Sequence, residues 1–261
     1  MEGDDIGHAD RTQMEMRPGR PRGATVDRLL SYLLDGAGPA PDQVADDLAE
    51  WLGASARFLA FVDAHRDKIR KKLRGASESQ ARGDVRAELE AAFALLADRR
   101  LAIAFEAYGA GRRGPDFTVT FRAVHRFNLE VTRPRLDDGE RPGRDRADGL
   151  ASALLGKLRQ LPADAPNAVL VALDGPLPAE DEVAGAMRSL KLRADRRDDL
   201  FFAGRGLADA REFHLYYRRL SALFVASRGG AGARAWSNPE ARRRLPEGAL
   251  AACLGCLGGR R

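Results

Sequence analysis

Near residue 100 the spacing of apolar side chains changes from one in about 3.6 residues to one in two, and few folds accommodate that change in this order. Before it, Val44, Leu48, Trp51 and Leu52 recur at helical spacing, as do Phe58, Phe61 and Val62, then Ile69 and Leu73. Val85, Leu89, Ala92, Phe93 and Leu96 make a further stripe between Gly83 and Arg100. After it, LAIAFEAYG reads as a strand, and DFTVTF and RFNLEVTR read as two alternating strands joined near Arg122 to Arg126. The helix GLASALLGKLRQL and the buried strand NAVLVALD follow. A hairpin followed by a helical crossover to a buried strand predicts an α/β protein: a mixed central sheet flanked by helices, with an N-terminal helical extension.

Breakers divide the chain. Residues 1–24 mix acids, arginine, glycine and proline without periodicity and predict a disordered tail. Residues 25–79 form the helical extension, 80–228 the α/β core, and 229–261 a C-terminal tail that carries NPEARRRLP and then a small-residue helix or coil. Within the core, a helix is expected from about Ala179 to Leu192 and a strand or edge pair from Phe213 to Ser227. GAGRRGP before the hairpin reads as a turn, and PRLDDGERPGRDRAD after it as a charged loop.

Apolar residues make up 44% and charged residues 31%, enough to build a core. No apolar run reaches the roughly 18 residues of a membrane span, and MEGDDIGHAD lacks the basic-then-apolar pattern of a signal peptide. These features point to a soluble, cytoplasmic protein with no membrane partner. Five of the 43 basic residues are lysines (Lys68, Lys71, Lys72, Lys157, Lys191) and the rest are arginine. The net charge of +5 is compatible with a polyanionic partner, but the 38 acids offset most of it, so clustering carries more information. Lys68, Arg70, Lys71, Lys72 and Arg74 fall within two helical turns, and Arg242 to Arg244 form a second group. Either is a candidate for sequence-independent phosphate contact, or a solvated face. Cys253 and Cys256 have zinc-ligand spacing, but no second pair completes a site.

Alternation along the hairpin puts Asp116, Thr118 and Thr120 on one face, and Asn128, Glu130 and Thr132 on the matching face of the next strand. Pairing the apolar faces brings Asp116 and Glu130 within reach of a common point, as a hard divalent cation requires. The same acids would also suit the wet face of a hairpin.

Pro115-Asp116, Glu130-Val131-Thr132, the preceding Ala87-Glu88-Leu89 and the following helix with Lys157 and Gln160 together resemble the PD-(D/E)XK nuclease superfamily, the restriction-endonuclease-like fold. The resemblance spans roughly residues 80 to 175. It implies a metal-dependent nuclease acting on DNA, with Asp116 and Glu130 holding Mg²⁺ or Mn²⁺ and Glu88 adding a ligand directly or through water. Double-strand cutting from one site per chain would call for a homodimer. The departure is Thr132, where the family places a lysine. Lys157 is the candidate replacement, because it falls within the apolar stripe of Leu154, Leu158 and Leu161, three residues from Gln160. A lysine there can also snorkel to water.

Glu88 is favoured over Glu90 by its spacing with Ala92 and Leu95, Glu106 is assigned a structural role, and Asn128 an orienting one. Arg133, one residue past Thr132, points to the opposite face. Two alternatives remain open from sequence. One keeps the fold as a catalytically degenerate module that binds nucleic acid or protein, and the other makes the chain a small α/β scaffold.

Overall fold

A computed structural model describes residues 22–36, 42–76, 78–106, 114–134 and 146–259. Four helices open the chain: α1 (Arg22–Leu34), α2 (Asp42–Ala54), α3 (Ala56–Ala64) and α4 (Arg66–Gly75). The longer α5 (Ser79–Leu95) leads into β1 (Leu101–Phe105), β2 (Phe117–Phe121) and β3 (His125–Thr132). Then come α6 (Arg146–Leu158), β4 (Asn167–Leu173), α7 (Glu180–Asp195), α8 (Asp199–Ala203), α9 (Ala210–Tyr217), β5 (Leu220–Ser227), β6 (Ala233–Ser237) and α10 (Glu247–Leu257).

The strands form one open six-stranded sheet in the order β1-β2-β3-β4-β5-β6. The outer pairs β1–β2, β2–β3 and β5–β6 are antiparallel, whereas β3–β4 and β4–β5 are parallel. The parallel pairs follow from chemistry: NAVLVAL and LSALFVAS are nearly continuous apolar runs, as strands covered on both faces must be. One face presents Phe117, Val119, Phe127, Leu129, Val131, Leu170 and Phe224 to a core shared with α1–α5 and α10. The other presents Val169, Val171, Leu223 and Val225 to a second core built with α6, α7, α8 and α9. The protein is thus α/β, with a mixed sheet between two helical layers. Among the described residues, no helix is long and apolar enough to cross a membrane.

The expected order of helix, three strands, helix and strand is found as α5-β1-β2-β3-α6-β4. Three expectations are corrected. Residues 229–261 are not a tail, because β6 pairs with β5 and α10 buries Ala249, Ala252, Cys253 and Leu257 in the first core. Gly229 and Gly232, with φ of 72° and 144°, supply the left-handed backbone that returns the chain from β5 to β6. Phe213 lies in a helix rather than a strand. The Asp209 side chain accepts the Glu212 N–H at 2.7 Å and caps α9, whose Ala210, Phe213 and Tyr217 make a helical stripe. The N-terminal helices share the core of the sheet instead of extending from it, and α1 already includes residues 22–24. Residues 1–21, most of the GAGRRGP turn and residues 135–145 of the charged loop lie outside the described residues.

Candidate active site

The β2–β3 register pairs Phe117 with Leu129 and Thr118 with Asn128, so one further step sets Asp116 opposite Glu130. Asp116 sits in the bend before β2. Its Oδ2 accepts the Val131 backbone N–H at 2.8 Å, and its own carbonyl accepts the Glu106 N–H at 2.9 Å. The side chain therefore extends the ladder where regular pairing stops, fixing the carboxyl across the sheet. Glu130 stands in the second half of β3, beside Val169 of β4, and is 1% exposed.

Lys157, in the last turn of α6, donates from Nζ to Glu130 Oε2 at 3.0 Å. Its helix buries Leu150, Leu154, Leu155 and Leu158 against the sheet, which aims the lysine stem along that packed face. On the opposite flank, Lys72 of α4 lies 2.6 Å from Glu88 Oε2, 2.9 Å from Glu106 Oε1 and 4.0 Å from Asp116 Oδ1. Its ammonium also stands 4.8 Å from the centre of the Phe105 ring. The structure thus gathers Glu88, Glu106, Asp116 and Glu130 around two lysines.

The other residues singled out by sequence meet different surroundings. Lys72 is not a free phosphate contact, because the acids engage it. Lys68 is exposed and donates to the carbonyls of Phe105 and Glu106, each at 3.3 Å, and Lys71 is exposed. Thr132 is half-buried and pairs with Val171. Gln160 lies past the end of α6 and lines a separate hollow with Arg159, Arg205 and Tyr216, so its spacing from Lys157 does not bring it to the acids. Glu90 receives Arg86 Nη1 and the Gly229 N–H, leaving Glu88 as the α5 acid in the cluster. Asn128 donates to Asn167 Oδ1 at 3.0 Å and ties β3 to β4.

Sequence assigns Lys72 to phosphate contact and Glu106 a structural role, and gives neither a place in the acid cluster. Lys72 borders the buried stripe of Ile69 and Leu73, a local signal that a solvated lysine shares. Glu106 has φ of 45° just after β1, and no sequence pattern announces that turn.

The charges in the cluster do not balance: four carboxyls face two ammoniums. Burial, then repulsion by Asp116, pushes the Glu130 carboxyl up to about 8 against the pull of Lys157. Burial and Asp116 likewise push Glu88 up to about 7 against Lys72. Burial disfavours the charged form of Lys157, but Glu130 and Asp116 outweigh it and raise its pKa. Lys72 is raised in the same way, chiefly by Glu88 against its own burial. Neighbouring carboxylates thus hold both lysines charged, while burial first and Asp116 second drive Glu88 and Glu130 to keep protons.

Among the described residues, no three His, Cys, Asp or Glu side chains form a group that could hold a metal ion. The fit to a hard divalent cation rests on a smaller set. Glu130 Oε1 is buried with no hydrogen-bond partner, and the Asp116 carboxyl is near enough to share a proton with Glu130. As two carboxylates they can only accept, so a cation between them would satisfy both. Mg²⁺ commonly takes one or two carboxylates and completes its shell with water and substrate oxygens, which this donor set fits and a closed protein cage would not.

Comparisons with protein-family models, with curated proteins and with solved structures find no match to this chain. The class defined by the fold is an α/β protein with a mixed six-stranded sheet, and its site is an acid–lysine cluster at the junction of β1, β2 and β3.

Proposed function

We propose that this protein is a metal-dependent nuclease of restriction-endonuclease-like architecture that hydrolyses phosphodiester bonds in DNA. The meeting of Asp116, Glu130 and Lys157 carries the reading: an acid from the bend before β2, an acid from β3 and a lysine from the next helix converge, with Lys157 3.0 Å from Glu130. The element order α5-β1-β2-β3-α6-β4 supports it independently.

Asp116 and Glu130 would hold Mg²⁺ or Mn²⁺, with Glu88 reaching it through water. When bound, the ion supplies an activated water and charge stabilisation on the scissile phosphate. Asp116 is oriented for binding by the Val131 N–H. Lys157 would provide the fixed positive charge that Thr132 cannot, and its contact with Glu130 would keep it beside a bound ion. Cutting both DNA strands from one such cluster per chain would require a homodimer.

The alternative, a degenerate nuclease-like module that binds nucleic acid or protein, draws on Thr132 and on the lack of a three-acid shell among the described residues. A supercoiled-plasmid assay separates the two. Nicking is expected with Mg²⁺ or Mn²⁺ but not with EDTA, and loss is expected in Asp116→Ala and Glu130→Ala chains that unfold like wild type. No cleavage with any divalent ion, alongside measurable metal binding, selects the degenerate reading. Cleavage that persists in the double alanine variant assigns the activity to a different site.

A further inference from the structure

Lys72 enters the acid cluster from the N-terminal helices, outside the region on which the nuclease reading rests. One ammonium meets carboxylates from three places in the chain: Glu88 on α5, Glu106 just after β1 and Asp116 just before β2. Two of these acids, Glu88 and Asp116, are proposed ligands, so the ammonium already occupies oxygens that a divalent ion would need. An ammonium has one charge on a flexible four-carbon stem, whereas a divalent ion has two charges and no tether. They compete for the same lone pairs. Lys157, by contrast, meets Glu130 from the other side of the sheet junction.

Resting on the metal-dependent reading above, we propose that Lys72 is an internal counter-ion that occupies the Glu88–Asp116 side of the cluster and weakens divalent-metal binding there. When all four acids are ionised, they exceed the two lysines by two negative charges, which one divalent ion neutralises. Without Lys72 the surplus is larger and the ion meets no rival. The Lys72 side chain is 24% exposed, so its ammonium has a path to water when the metal takes its oxygens. Linkage makes the effect reciprocal: metal binding loosens the tie between α4 and the sheet junction.

The test uses the full chain, stripped with EDTA and titrated with Mn²⁺ while free Mn²⁺ is followed by electron paramagnetic resonance. Lys72→Gln should bind about tenfold more tightly than wild type, and Lys72→Arg, which keeps the charge, should stay within about threefold of it. Lys72→Met, an unbranched apolar side chain that can lie against the Phe105 ring, serves as a second neutral variant should glutamine disturb folding. Binding by a neutral variant where wild type shows none also supports the proposal. Wild-type binding that a folded neutral variant matches or falls below overturns it and leaves the metal reading standing. No Mn²⁺ binding by wild type or by either neutral variant overturns both.

Discussion

Lys157 Nζ lies 3.0 Å from a Glu130 carboxylate oxygen that is almost wholly withdrawn from water, so a helix and a central strand are joined by an ion pair inside the layer that packs them. Breaking such a pair usually leaves a buried charge and costs several kcal/mol. Here the acid has a second option, because burial and Asp116 already favour its protonated form.

That option separates stability from activity in Lys157→Ala. Glu130 can take up a proton when its partner is removed, so the thermal midpoint near neutral pH should fall only modestly. Metal-dependent cleavage should fall by about two orders of magnitude or more if Lys157 supplies the fixed cation. Rate and midpoint measured on the same preparation decide the matter. Intact cleavage would remove Lys157 from the mechanism.

The raised carboxyls also set a pH dependence. Glu88 and Glu130 have pKa values of about 7 and about 8 in the folded chain against an ordinary 4.5, so between these limits the folded state binds more protons than the unfolded state. Stability of the metal-free protein should therefore decline as pH rises from about 4.5 to about 8 and level off above that. Divalent-metal affinity should run the other way over the upper part of this window, because binding must displace those protons. Thermal midpoints across pH, with and without Mn²⁺, test both slopes. Glu130→Gln should flatten the metal-free slope, and an unchanged slope would assign it to other groups.

The parts of the cluster that were legible in sequence depend on short-range periodicity. A period of two puts Asp116 and Glu130 on matching faces, and helical spacing turns Glu88 inward while Glu90 turns toward Arg86. Lys157 was visible as a cation inside an apolar stripe. Lys72 and Glu106 were not, because their meeting depends on how α4 docks beside the end of β1, a tertiary relationship with no local pattern. The same limit hid α9 and β6. Phe213 to Tyr217 is aromatic enough to suit a strand, and only the Asp209 cap with its buried stripe decides for helix. Five residues of β6 are too few to announce a strand without the partner β5.

The C-terminal segment gives a prediction about folding. β6 covers the edge of β5, and α10 buries Ala249, Ala252, Cys253 and Leu257 against the first core. A chain ending at Ser227 would expose that apolar surface and an unpaired strand edge. It should lose cooperative thermal unfolding by circular dichroism and aggregate on expression. A sharp transition like that of the full chain would show the segment to be dispensable.

The basic residues of α4 divide by their surroundings, which predicts different salt behaviour for neighbours in sequence. Lys71 and Lys68 are exposed, whereas Lys72 is held by Glu88 and Glu106. If α4 contacts a DNA backbone, Lys68→Gln and Lys71→Gln should each weaken binding alike for all sequences and reduce the slope of log K against log salt by about one unit. Lys72→Gln should leave that slope unchanged, since an ammonium committed to carboxylates releases no counterion from phosphate. Fluorescence anisotropy with a labelled duplex at several salt concentrations gives the slopes. A loss in Lys72→Gln equal to that in Lys71→Gln would mean that Lys72 leaves the acids to meet DNA, and unchanged slopes in all three variants would make the exposed face of α4 a solvated surface.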